Sequence, residues 1–94
     1  MIVYIAGPIT GKKDYKEAFE KAEQMLRNEG VKLINPAKLP DDLPYKAYMP
    51  ICLAMIDISD EVYMLSDWRN SRGARLERDY AIATGKTVRF QEGD

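Results

Sequence analysis

Ile2-Val3-Tyr4-Ile5-Ala6, closed by Gly7-Pro8, decides the fold. A continuous apolar run that stops at a Gly-Pro break is the pattern of a strand buried on both faces, as in a parallel sheet. A parallel neighbour needs a crossover, so helices must follow. Asp14-Tyr15-Lys16-Glu17 reads as a helix start with an Asp cap and a Glu three residues on. Tyr15, Ala18, Phe19, Ala22, Met25 and Leu26 then recur at helical spacing, and Gly30 stands where a glycine stop belongs.

The same alternation runs to the end of the chain. Val31 to Ile34 is a second strand, broken by Asn35-Pro36, and the segment to Pro44 reads as a loop. Tyr48, Ile51, Cys52, Met55 and Ile58 form one helical stripe, with the regular helix starting near Pro50 or kinked there. Glu61 to Leu65 is a third strand, Ser66 to Arg72 a polar loop, and Ala74 to Thr84 a helix closed by Gly85. Thr87 to Phe90 is a fourth strand, and Gln91 to Asp94 a frayed tail. Right-handed crossovers turn this order into an α/β, Rossmann/flavodoxin-like three-layer sandwich. Its four-stranded parallel sheet takes the order 2-1-3-4. Ligands of such sheets bind beyond the carboxyl ends of the strands, at the switch point between strands one and three.

Length and composition bound the rest. The chain has 94 residues, one domain over 1–94, with a net charge of −1. That balance excludes a broad basic face for duplex nucleic acid, though not a local anion pocket. Histidine is absent, which removes Ser-His-Asp and Cys-His pairs, HExxH zinc sites and any imidazole base. The single cysteine, Cys52, removes an intrachain disulfide and CxxC motifs. No apolar stretch approaches the ~20 residues of a membrane span, and no secretion signal is evident. The reading is of a cytoplasmic protein that uses no metal or cofactor. Any chemistry falls to carboxylates, hydroxyls, lysines or backbone dipoles.

Two segments meet at the switch point. The first, Gly7-Pro8-Ile9-Thr10-Gly11-Lys12-Lys13, is either a ligand-contacting loop or a plain strand-to-helix turn with solvated lysines. The second runs from Ser66 to Glu77. On its helix, Glu77 has Gly73, Ala74, Tyr80 and Ala81 as same-face neighbours. An acid on so small and apolar a face is costly without a job or a partner. It is a desolvated nucleophile or the partner of an arginine such as Arg72. Trp68 either stacks on a base or plugs the core. Arg69, Arg72 and Arg75, with Lys12 and Lys13, either give the pocket rim a positive cast that suits a phosphorylated ligand, or the arginines are ordinary surface cations paired with Asp67 and Asp79.

Tyr4-Ile5-Ala6-Gly7-Pro8 together with Ser71-x-Gly73-x-x-x-Glu77 resembles the nucleoside 2-deoxyribosyltransferase superfamily. Asn35-Pro36-Ala37 and Leu65-Ser66-Asp67-Trp68, followed by Ser71 to Glu77, look closest to its small DUF4406 branch, over most of the chain. The resemblance implies an N-glycosidase or 2-deoxyribosyltransferase acting on a nucleoside or nucleoside 5′-monophosphate. Glu77 would attack the sugar's C1′, and Tyr4 would orient it. Gly7, Pro8, Ile9, Gly11, Lys12, Trp68, Ser71, Arg72 and Gly73 would bind substrate, with Ser71 and Gly73 beside the 5′ group. The aspartate that the superfamily carries on the helix before the third strand is replaced by Cys52, a weak donor. A nucleotide-binding protein without turnover is therefore the rival reading. The resemblance also implies a homodimer or higher oligomer. The helix from Tyr45 to Ile58 is the expected interface, and the loop from Pro36 to Pro44 is expected near the partner's site.

Overall fold

The computed structural model describes residues 1–91. Strands β1 (Ile2–Ala6), β2 (Lys32–Ile34), β3 (Glu61–Met64) and β4 (Thr87–Phe90) alternate with helices α1 (Tyr15–Arg27), α2 (Tyr45–Asp57) and α3 (Arg72–Ala83). Short 3₁₀ turns occupy Pro36–Lys38 and Trp68–Asn70. The sheet has four strands in the order β2-β1-β3-β4, and every adjacent pair is parallel. The fold is thus the α/β arrangement expected from the alternation, with the switch point between β1 and β3.

The period of two along each strand sorts side chains between two layers. Val3, Ile5, Tyr63 and Leu65 point to one face and pack under Phe19, Ala22 and Leu26 of α1. Tyr4, Ala6, Val62 and Met64 point to the other and pack under α2 and α3 through Cys52, Ile56, Ala74 and Ala81. Tyr4 pairs with Val62 across β1 and β3, which puts its ring at the centre of the sheet under α3. No helix is long and apolar enough to cross a membrane, among the described residues.

Several local readings change. Asp14 precedes α1, but its side chain makes no capping bond; its carbonyl accepts from Glu17 N at 3.1 Å instead. Helix α2 does not start at Pro50 but runs through it from Tyr45. Pro50 lies in the second turn, so one amide bond is lost while packing on the sheet keeps the helix continuous. The expected stripe is also rotated: Cys52 and Ile56 are buried, whereas Ile51 and Ile58 face solvent. Gln91 is not frayed, since its amide donates to Met64 O at 2.8 Å and its Oε1 accepts from Ser66 N at 2.9 Å. The rest of the expected tail, 92–94, lies outside the described residues.

Candidate functional site

A cavity of about 380 Å³ opens at the carboxyl end of β1. Such a volume is within the range of small-ligand sites. Gly7, Ile9 and Thr10 contribute one wall, Tyr45, Tyr48 and Met49 of α2 a second. Asn70 to Ala74 form the third, with Glu77 at the floor.

The third wall is the start of α3. Ser71 has an extended backbone and caps the helix, its Oγ accepting from Ala74 N at 3.1 Å. The first-turn amides of a helix are donors without intrahelical partners, and they favour an anion. Arg72 adds a full positive charge to this wall. Gly73 faces α2: a Cβ built there would stand 3.6 Å from Met49 Sδ and 3.8 Å from the Tyr45 hydroxyl. Gly7 is needed for a different reason. A Cβ there would come within 2.7 Å of Leu65 Cδ1, so only glycine lets the end of β1 pass so close to β3.

Glu77 lies on the same face of α3 as Ala74 and Ala81, pressed onto the sheet and only 5% exposed. Tyr4, fully buried, donates from its hydroxyl to Glu77 Oε2 at 2.6 Å. The buried Cys52 thiol completes the cluster. Burial pushes the Glu77 carboxyl up to about 7, against the pull of the bond from Tyr4 and of the neighbouring Cys52 thiol. Burial also raises the Tyr4 phenol well above its ordinary value and pushes the Cys52 thiol up to about 12. Both therefore stay protonated near neutrality, so Tyr4 keeps the proton it donates to the carboxylate, while Glu77 titrates in that range. No salt bridge to Glu77 forms among the described residues, and Arg72 does not pair with it.

The candidate residues from the sequence thus divide. Glu77 and Tyr4 meet, and Gly7, Ile9, Ser71, Arg72 and Gly73 line the same cavity. Pro8, Gly11 and Lys12 are not on its walls. Lys12 instead pairs with Asp67, clasping the loop after β1 to the loop after β3. Trp68 does not offer a stacking face to the cavity. It is buried, tilted against Phe90 with ring centroids 5.6 Å apart, and flanked by the Arg69 and Arg78 guanidiniums, each 4.9 Å from its centroid. Arg75 turns away to the Arg69 carbonyl at 2.7 Å. The positive cast of the rim therefore reduces, on the cavity wall itself, to Arg72.

Thr10, Tyr45, Tyr48, Met49, Asn70 and Ala74 are wall residues absent from the sequence-based set. The signal for α2 was present: Tyr45, Tyr48 and Met49 recur at three- and four-residue spacing before Cys52. The same stripe fits an interface or a core equally well, because nothing in one helix says which neighbour it faces.

A search of curated proteins finds no match. A family model described as "Domain of unknown function (DUF4406)" matches residues 1–90, so the chain belongs to that family.

Proposed function

We propose that the protein is an enzyme that cleaves the N-glycosidic bond of a nucleoside 5′-monophosphate, with Glu77 as nucleophile. The observation that supports this most is the buried Tyr4–Glu77 pair at the floor of a ligand-sized cavity, 2.6 Å apart. A buried carboxylate with no cationic partner is destabilising in its charged form. Such a group is reactive toward an electrophilic carbon once deprotonated.

In the proposed reaction a Glu77 oxygen forms a bond to C1′ as the bond from C1′ to the base nitrogen breaks. The base leaves with the bonding pair and takes a proton from solvent. The resulting ester is then opened by water or a second base, which returns Glu77 as carboxylate. This is the two-step logic of retaining glycoside chemistry. Tyr4 holds the carboxylate in one rotamer by donating to Oε2, leaving Oε1 for attack. The start of α3, with Arg72 and Ser71, suits the 5′-phosphate. Base release from a panel of 2′-deoxynucleoside 5′-monophosphates, followed by chromatography, tests the reading. Its failure is no free base from any member.

Cys52 favours a second reading, a nucleotide-binding protein without turnover. It occupies the cluster where the resembling superfamily has an acid, and a thiol pushed up to about 12 is a poor donor to a leaving base. We also propose a cytoplasmic homo-oligomer, because Tyr45, Ile51 and Ile58 leave apolar surface exposed along α2. Light scattering at micromolar concentration tests this, and a monomer of 10.7 kDa contradicts it.

A further inference from the structure

The turn at Asn35-Pro36-Ala37 wraps the β2 edge of the sheet and touches both helical layers. Ala37 belongs to the cluster under α1, while Ile34 and Leu39 pack against the cluster under α2 and α3. On the α1 side stands Glu23, 3% exposed. Its Oε1 accepts from Asn35 Nδ2 at 2.9 Å, and its Oε2 accepts from Lys38 Nζ at 3.0 Å and from Arg27. Hydrogen bonds from Arg27, Asn35 and Lys38 outweigh burial and hold the Glu23 carboxyl down at about 2. Asn35 in turn fixes the turn, its Oδ1 accepting from Ala37 N at 2.9 Å. On the α2 side the Pro36 carbonyl accepts from the Tyr48 hydroxyl at 2.7 Å. Tyr48 is a wall of the cavity. An unbroken series of direct contacts therefore runs from a carboxylate on one face of the sheet to the ligand pocket on the other.

The geometry points to Glu23 as a positioning residue for the pocket, which acts through Asn35 and the Pro36 carbonyl to hold the Tyr48 ring as its aromatic wall. With its hydroxyl committed to Pro36, Tyr48 presents the cavity with ring surface, which fits a planar heteroaromatic ligand. The ion pairs of Glu23 with Arg27 and Lys38 do not explain the arrangement by themselves. Both cations hold the buried Glu23 in its charged form, but neither is bonded to the Tyr48 side of the turn. The Asn35 bond is the one that carries direction. The ligand class rests on the nucleotide reading; the link from Glu23 to Tyr48 does not.

The test is a set of variants with two readouts. Asn35→Asp keeps the acceptor for Ala37 N but replaces the donor to Glu23 with an oxygen that repels it. Glu23→Gln removes the charge, and Tyr48→Phe cuts the last bond while keeping the ring. In calorimetry with 2′-deoxyguanosine and 2′-deoxyadenosine 5′-monophosphates, each variant is expected to weaken binding about threefold to tenfold. Asn35→Asp combined with Tyr48→Phe should bind no worse than Tyr48→Phe alone, because residues that act through one path are non-additive. Additive losses would overturn the proposal. The second readout needs no ligand. With carbon-13 at the tyrosine Cζ, the Tyr48 signal near pH ~7 should shift in Asn35→Asp and Glu23→Gln toward that of Tyr48 freed from the Pro36 carbonyl, while burial keeps the phenol's titration above its ordinary value in all three proteins. An unmoved Tyr48 Cζ signal overturns the proposal whatever the calorimetry shows. If the wild type binds neither nucleotide, the nucleotide reading fails and that signal alone decides the link.

Discussion

The Tyr4 hydroxyl donates to Glu77 Oε2 at 2.6 Å, across 73 positions of sequence, from the central strand to the third helix. This bond favours the charged carboxylate, and burial opposes it, so the ionisation near 7 is a balance between the two. Removing the bond should move the balance upward. A hydrogen bond to a charged group is worth about 1.5–3 kcal/mol, and one pKa unit is about 1.4 kcal/mol, so the expected rise in Tyr4→Phe is roughly one to two units. The base-release rate should climb with pH through about 7 in the wild type and correspondingly later in Tyr4→Phe. A pH–rate profile measures this; identical midpoints would separate Tyr4 from the ionisation of Glu77.

Stability should carry the same signature with a definite sign. Glu77 has its folded value raised from 4.5 to about 7, so the folded protein holds a proton that the unfolded chain releases. The protein therefore loses stability as pH rises between those values, by about 3 kcal/mol at most. Glu77→Gln cannot lose that proton. Denaturant melts should find it close to wild type near pH 4 and more stable near pH 8. A difference that does not change with pH would contradict the buried, neutral-to-charged transition. Glu23 works in the opposite sense. Its value is lowered to about 2, so its contribution is complete above 4.5 and fades as pH falls through 2.

The two glycines of the site should respond differently. Gly7→Ala drives a Cβ into the Leu65 side chain and is expected to destabilise by about 1–3 kcal/mol. Gly73→Ala meets only ordinary contacts with Met49 and Tyr45, so melting should barely change. Its methyl enters the cavity, and nucleotide affinity should fall severalfold. Equal stability losses in both would mean that Gly73 is needed for packing rather than for space.

Cys52→Asp separates the two functional readings. A second carboxylate beside Glu77, at a position 1% exposed, would cost stability by roughly 1–3 kcal/mol. If protonation of the leaving base limits turnover, the rate should nevertheless rise. No gain, with nucleotide still bound, would favour the binding protein.

The sheet order could be read from the sequence because Val3 to Ala6 and Val62 to Leu65 are buried on both faces, and only a parallel centre with helices on both sides buries them. The meeting of Tyr4 and Glu77 was legible only through the resemblance, which makes Tyr4 the group that orients Glu77. A continuous apolar run does not by itself say which of its side chains lies under the third helix. Trp68 was undecidable, because the partner that claims its ring, Phe90, is 22 positions away and belongs to the strand beside it. The start of α2 at Tyr45 rather than at Pro50 was hidden because a local rule about proline is set against packing that only the whole helix supplies. The Glu23–Asn35 bond left no mark at all: a glutamate at an ordinary helical position says nothing of a turn 12 residues later.

The central claim is that Glu77 is the nucleophile, and the most direct measurement compares base release by wild type and Glu77→Gln from 2′-deoxynucleoside 5′-monophosphates. Nucleotide binding is followed in parallel. The expected result is free base from the wild type, with Glu77→Gln at least about a thousandfold slower although it still binds. Release by Glu77→Gln at the wild-type rate would contradict it.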